Sequence, residues 1–378
     1  MKKPFYCALL LVLAIAAPAQ TTHPILPIGA PAPDFALTGV DGNTHKLSDY
    51  SQSPILAVIF TCNHCPIAQM YEQRIEKLYE TYGKLGVAVI AIQGNDPNAT
   101  TTEELDSSDM GDTLEEMKAR VKYKNLHYPY LFDGETQSVT TAYGAQATPH
   151  VFIFDKTRHL RYEGRFDNSY RIEKVVSRDA QNAIDALLAG KPVVVTHTAV
   201  FGCSTKWKEK EPLRLAYEQK IDATSITLVS ADVADLKKLR ANAGDRYTLV
   251  SFWATWCGSC VAEFSDLQDT FRMYDDRGFK LVTVSANSPD EKQGVLKFLN
   301  RKHATSTNLI FASDDVATLQ AAFDPKWQSA VPYTVLLGPN GTVLYKTMGS
   351  VDIVELRRKV LAAMPSDYIG FNKYWSAR

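Results

Sequence analysis

The chain lacks an excess of charge of either sign: 42 acidic residues stand against 41 basic ones in 378, a net charge of −1. A broad basic face for nucleic acid and an acidic tail for a cationic partner are both excluded, and no nucleic-acid partner is expected. Beyond the first residues there is no apolar run approaching the roughly 18 that a membrane-spanning helix needs. Compositional bias is missing too, since 45% apolar and 22% charged residues are the balance of a packed chain rather than a disordered one. At about 150 residues per domain, the length gives two to three domains and excludes a single small module.

Cysteine is scarce, with six residues, but its placement is not random. Six cysteines scattered by chance would give about 0.1 C-x-x-C pairs. The chain has two, Cys62 with Cys65 and Cys257 with Cys260. Neither is followed by histidine: Pro66 and Val261 stand where covalent haem attachment requires one, so a c-type haem is excluded. One zinc site shared by both pairs is disfavoured, because compact zinc modules bring their pairs within about 20 residues.

Lys2 and Lys3 precede an apolar run over 5–17, and Ala17-Pro18-Ala19 then offers the small residues of a cleavage site. Residues 1–19 read as a signal peptide, because a run of about 13 is short of the 20 a spanning helix needs. Cys7 leaves with it. The mature chain is expected to be soluble, periplasmic or secreted, and to carry five cysteines where disulfides persist.

The two halves share one plan. Residues 55–60 (ILAVIF) form a short, β-branched, buried-strand run; Cys62 and Cys65 follow; then Ile67, Met70, Tyr71, Ile75, Leu78, Tyr79 and Tyr82 recur at helical spacing up to Gly83. Strands are expected at 87–92, 151–154 and 160–166. In the second half a strand at 248–253 leads to Cys257 and Cys260, and Val261, Phe264, Leu267, Phe271 and Tyr274 line a helix ending at Gly278. Strands at 281–284 and 309–311, a helix near 290–300 and a hairpin turning at Pro339-Asn340-Gly341 complete it. The charged segment 206–222 reads as a linker between domains at 24–205 and 223–378.

Two cysteines three apart at a helix start face one way, and unpaired N–H groups there stabilise a thiolate. On this logic Cys62 and Cys257 are nucleophiles and Cys65 and Cys260 resolve the mixed disulfide. His64 beside the first pair makes that disulfide the more oxidising one, whereas Gly258-Ser259 adds no charge to the second.

SFWATWCGSCVAEF and AVPYTVLLGPNG in the second half resemble the TlpA/ResA branch of the thioredoxin superfamily. APAPDFALTGVDGNTHKLSDY, FTCNHCP and GAQATPHVFIFD in the first resemble its redoxin, or AhpC/TSA, branch. The resemblance implies an α/β architecture of two tandem thioredoxin-like folds, each with a mixed sheet flanked by helices. It implies cis prolines at Pro149, after Thr148, and at Pro332, after Val331, exposing backbone to an extended substrate. It also implies a proton-relaying carboxylate at Glu263, with Trp253 and Trp256 packed beside the site and Trp256 over Cys257. The expected activity is disulfide exchange with protein thiols or disulfides, through Cys62–Cys65 and Cys257–Cys260 disulfides and no other cofactor or metal. A membrane electron donor or acceptor would complete the circuit.

Two alternatives stand beside this reading. A thiol peroxidase needs P-x-x-x-T-x-x-C, but Thr61 directly precedes Cys62 and the residue four before Thr61 is Ala57. A copper-binding chaperone would draw on Cys62, Cys65 and His150. Cys203, in FGCSTKWK, reads as a small buried residue in preference to a third thiol for Cys62. His45, His127, His159 and His303 show no ligand or triad spacing. The polar insertion 97–111 carries no legible role, and the aromatic segment 368–375 is expected to fold against the second half.

Overall fold

A computed structural model describes residues 23–327 and 331–365; the expected signal segment with Cys7 and the segment 368–375 lie outside them. Among the described residues no helix is long and apolar enough to cross a membrane.

The first half builds a seven-stranded mixed sheet. Its strands are β1 (Ala36–Gly39), β2 (Thr44–Lys46), β3 (Leu56–Thr61), β4 (Ala88–Gln93), β5 (Tyr130–Phe132), β7 (His150–Phe154) and β8 (Leu160–Gly164), in the order β2-β1-β5-β4-β3-β7-β8. A short ribbon, β6 (Ala147–Thr148) with β9 (Cys203–Ser204), stands apart. Helices α1 (Pro66–Gly83), α2 (Leu114–Lys124), α3 (Ser138–Tyr143) and α4 (Asp179–Leu188) accompany the sheet. Every residue of β3 is buried, because successive side chains point to opposite faces and both faces are covered. Ala57 and Ile59 pack with Tyr71, Ile75 and Leu78 of α1, while Leu56, Val58 and Phe60 pack with Tyr143 and Phe152.

Helix α5 (Glu211–Asp222) leads into the second half, whose sheet holds β10 (Val229–Ala231), β11 (Tyr247–Trp253), β12 (Phe279–Ser285), β13 (Thr307–Phe311), β14 (Tyr333–Leu337) and β15 (Val343–Met348). The order is β10-β13-β12-β11-β14-β15, and α6 (Val233–Ala241), α7 (Gly258–Tyr274), α8 (Lys292–Arg301), α9 (Val316–Phe323) and α10 (Ile353–Ala363) surround it. The repeat is visible in pairing: β3 and β11 each lie between a parallel neighbour, β4 or β12, and an antiparallel one, β7 or β14. Each antiparallel neighbour starts directly after a cis peptide bond, Thr148–Pro149 or Val331–Pro332. Both halves are thioredoxin-like.

Within the expected linker 206–222, residues Glu211–Asp222 form α5. Lys206 belongs to the first half, its N–H donating to Asn95 at 2.9 Å and its carbonyl accepting from Asp96 N–H and Gln137 Nε2, each at 2.9 Å. The insertion 97–111 meets the second half: Ser108 accepts from Tyr274 Oη at 2.6 Å, Asp106 from Arg277 at 2.7 Å, and Leu105 packs on the core beneath α10. Asp109 accepts from Arg120 of its own half at 3.0 Å and from Arg358 of α10 at 2.7 Å, while Arg358 also stacks 3.5 Å from the Tyr123 ring centre.

Candidate active site: two cysteine pairs

The two pairs sit at corresponding places but start their helices differently. In the second half Cys257 is the N-cap of α7, and its sulfur, 3.3 Å from the Cys260 N–H, lies where the first cysteine was expected. In the first half Pro66 takes the first helical position, which suits a residue with no N–H. The N-cap is therefore Cys65, whose sulfur accepts from Ala68 N–H at 3.5 Å. The helix terminus expected beside Cys62 thus lies at Cys65, three residues later.

Electrostatics agree with that placement. Burial pushes the Cys65 thiol up, but hydrogen bonds from the Cys203 and Cys62 thiols, the His64 charge and the Ala68 N–H outweigh it and hold it well below the ordinary thiol range. Burial, the bond to Cys65 and the Asp112 charge push Cys62 up. Both sulfurs are free thiols, 2% and 0% exposed. Cys62 Sγ lies 3.1 Å from Thr148 Oγ1, and Cys65 Sγ lies 3.7 Å from the Thr148 carbonyl oxygen.

His64 is buried against Asp112, Nδ1 to Oδ2 at 2.5 Å. Asp112 Oδ1 accepts the N–H groups of Asn63 and His64, at 2.8 and 3.2 Å, and Oδ2 accepts Asn95 Nδ2 at 2.9 Å. Burial alone would lower the imidazole, yet the Asp112 carboxylate raises it above its ordinary 6.5. Burial would raise Asp112, but His64 and the amide donors hold it below 3.8. The stability His64 contributes is therefore complete below pH 6.5 and lost as pH rises through its elevated folded value. That of Asp112 is complete above pH 3.8 and lost as pH falls through its depressed one.

Cys62 Sγ, a His64 nitrogen and an Asp112 oxygen lie within 4.8 Å of one another, the candidate metal-ligand group among the described residues. Its ligand atoms are already engaged, the carboxylate by four donors. His150, the third copper ligand considered from sequence, does not join it: Nε2 faces Glu163 Oε2 at 3.0 Å and Nδ1 accepts Gln146 N–H at 3.3 Å.

In the second pair Cys257 and Cys260 form a disulfide with an S–S distance of 2.11 Å. Cys257 Sγ is 3.5 Å from the Val331 carbonyl oxygen and 3.5 Å from Ser259 Oγ. Glu263, one turn beyond Cys260, is only 8% exposed; Oε2 accepts Val351 N–H at 2.9 Å and Oε1 has no partner. Burial raises its carboxyl above the ordinary range. Trp253 is buried beside Phe264 and Phe298, whereas Trp256, one residue before Cys257, is 66% exposed.

The AhpC/TSA family model matches twice, over residues 28–163 and 220–346, which together make up more than half of the chain. The chain belongs to the AhpC/TSA family. As a tandem member of the thioredoxin superfamily it is an oxidoreductase, and its curated relatives carry that description. The thiol-disulfide oxidoreductase ResA of Geobacillus kaustophilus is 28% identical over 136 residues, 35% of this chain and 67% of its own. A hypothetical protein of Sinorhizobium meliloti is 38% identical, covering 48% of this chain and 96% of its own with a TM-score of 0.43. A putative thiol:disulfide interchange protein DsbE of Chlorobium tepidum is 20% identical, covering 43% and 99%, with a TM-score of 0.34.

Within this AhpC/TSA chain the sequence does not reveal Asp112, 48 residues from His64, as part of the first site, nor where Cys203 packs. That residue is half-buried, packed against the first pair and paired with Thr148 across β6 and β9. The signal was present in part, since Thr113-x-x-Glu116 marks a helix start directly after Asp112. Ile59, three residues before Cys62 where the peroxidase pattern places threonine, is a buried core side chain without a hydroxyl, so the sequence pattern stays broken there.

For Glu263 the expected result concerns pH. Glutamine keeps an acceptor for Val351 N–H but cannot take a proton from Cys260, so in Glu263→Gln the resolving step slows by about 100-fold, within the usual range for a general base. Its rate should also climb with pH only at more alkaline values. Stopped-flow exchange across a pH series reads both, and an unchanged profile would make Glu263 a purely structural group.

Proposed function

We propose that the chain is an extracytoplasmic thiol-disulfide oxidoreductase that exchanges disulfides with protein partners through two C-x-x-C sites, one in each thioredoxin-like half. Its Cys62–Cys65 and Cys257–Cys260 pairs alternate between dithiol and disulfide, with no added cofactor. The carrying observation is the second site. A disulfide caps a helix beside a cis-proline loop, and among the described residues no strand pairs with Val331. An extended partner segment then has backbone to pair with, and the exposed Trp256 gives it an apolar contact. Attack by a partner thiolate on Cys257 breaks the S–S bond, makes a mixed disulfide and leaves Cys260 as thiolate, next to a carboxyl that holds or returns a proton. The basic, apolar and small-residue start of the chain supports the extracytoplasmic reading, and a membrane electron donor or acceptor would reset the pair.

Trapping tests the proposal. Full-length Cys260→Ser, incubated with a reduced or oxidised protein substrate, should accumulate a dithiothreitol-sensitive adduct at Cys257, and Cys257→Ser should form none. Thiol counting of the wild type should change by four between reduced and oxidised forms. No adduct and a constant count would overturn the proposal. Stoichiometric copper retained by the first pair would favour a metal carrier, and peroxide consumption matched to a reductant would favour a peroxidase.

A further inference from the structure

The two sites differ in what occupies the backbone beside the cis proline. At the second, no described strand pairs with Val331. At the first, the chain itself is there: Cys203 pairs antiparallel with Thr148, and Ser204 with Ala147. Gly202 makes this approach possible, with φ +141° and an added Cβ that would fall 2.1 Å from the Thr148 carbonyl oxygen. Anchors on both sides hold the strand in place. Phe201 packs on the core with Tyr71. Thr205 bonds to Ala145 at 2.6 Å and Gln146 at 3.0 Å, and Lys206 is fixed by Asn95 and Glu104. An extended segment with a cysteine opposite the residue before the cis proline is how a disulfide-bearing substrate would lie. Cys203 packs against the core that holds Cys62 and Cys65, and its strand partner Thr148 is the residue whose hydroxyl lies 3.1 Å from Cys62 Sγ and whose carbonyl oxygen lies 3.7 Å from Cys65 Sγ.

We infer that Gly202–Thr205 is a resident substrate segment and that Cys203 is the third redox-active cysteine of the first site, carrying its disulfide to external partners. This rests on the disulfide-exchange reading. Once exchange with a partner disulfide has oxidised Cys62 and Cys65, which are free thiols here, the internal step balances. Cys203 sulfur attacks Cys65 sulfur, the Cys62–Cys65 bond breaks as the Cys65–Cys203 bond forms, and Cys62 leaves as thiolate and takes the proton Cys203 gives up. A partner thiolate then attacks Cys203, which is half-buried where Cys62 and Cys65 are sealed. Cys65 departs as the thiolate, with the Ala68 N–H to receive its charge. The first dithiol thus communicates through an internal thiol, whereas the second meets partners directly.

Disulfide mapping of the full-length protein decides the matter. After mild oxidation with oxidised glutathione, acid quench and alkylation, the wild type should yield a Cys65–Cys203 peptide alongside Cys62–Cys65. In Cys62→Ser that linked peptide should become dominant. Cys203→Ser, which keeps the strand and the Cys62–Cys65 disulfide, should slow transfer from the first site to a protein thiol by about tenfold or more. If Cys62→Ser keeps its native circular dichroism yet Cys203 stays fully alkylated, or if Cys203→Ser transfers at the wild-type rate, the inference is overturned. The second pair, followed in the same samples, separates the causes: exchange at Cys257 without Cys203 linkage removes this inference alone, and exchange at neither site removes the function it rests on.

Discussion

Alanine at position 64 is expected to lower the reduction potential of the first cysteine pair by at least about 30 mV, the equivalent of one unit in thiol pKa for a two-electron couple. The imidazolium is one of the groups that hold Cys65 as a thiolate, and stabilising the thiolate stabilises the dithiol over the disulfide. Removing it also leaves Asp112 as a buried, unbalanced anion that disfavours a second negative charge nearby. Both consequences have the same sign. Equilibration in glutathione or dithiothreitol buffers, with alkylation and mass analysis, gives each pair's potential, and the Cys257–Cys260 pair should not move. The double variant His64→Ala/Asp112→Asn separates the two contributions and should recover part of the fall. A first-site potential that rose or stayed put would remove His64 from the redox chemistry, and with it the ordering in which the second pair is the more reducing.

The largest effect on stability is expected from Asp109→Ala. Asp109 and Arg120 are both buried, and Arg120 is held at the same time by Glu72 through bonds of 2.7 and 3.0 Å. Glu72 remains as the counter-charge of Arg120, but Asp109→Ala removes one charged hydrogen bond from buried Arg120 and one from Arg358, each worth about 1.5–3 kcal/mol, so a loss of about 3–5 kcal/mol is expected. Arg358 loses its carboxylate as well, but it is partly solvated. Arg358→Ala should therefore cost less, about 1–2 kcal/mol. Urea unfolding of the three proteins tests the ranking. A loss under about 1 kcal/mol for Asp109→Ala would show that water replaces the carboxylate and that the two halves are not joined through it.

The strands that carry the cysteine pairs were legible because their signal is local. Expected runs at 55–60 and 248–253 correspond to Leu56–Thr61 and Tyr247–Trp253, since a fully buried strand must be apolar throughout. Three-residue strands such as Tyr130–Phe132 and Val229–Ala231 were not seen; their existence depends on partners far along the chain. The expected strand at 160–166 stops at Gly164, where φ is +145° and an added Cβ would meet Thr198. Cysteine spacing alone did not reveal which sulfur caps the helix. Pro66 held that information, because a proline at the first helical position moves the cap to the residue before it. Asp112 and Cys203 reach the first pair only through tertiary structure, across 48 residues to His64 and by pairing with Thr148.

The placement of Asp109 and Asp112 bears on how the protein can be dissected. Three residues apart, one carboxylate is clasped by Arg358 of α10 and the other by His64 beside Cys65. A fragment ending near residue 205 would retain Cys62, Cys65 and Cys203 but lose Arg358, Tyr274 and Arg277. The stretch that positions Asp112 would then lose its outer wall. The halves are repeats by descent of plan but not interchangeable parts, and a potential measured on an excised first half would belong to a site with a different wall and a different charge around it.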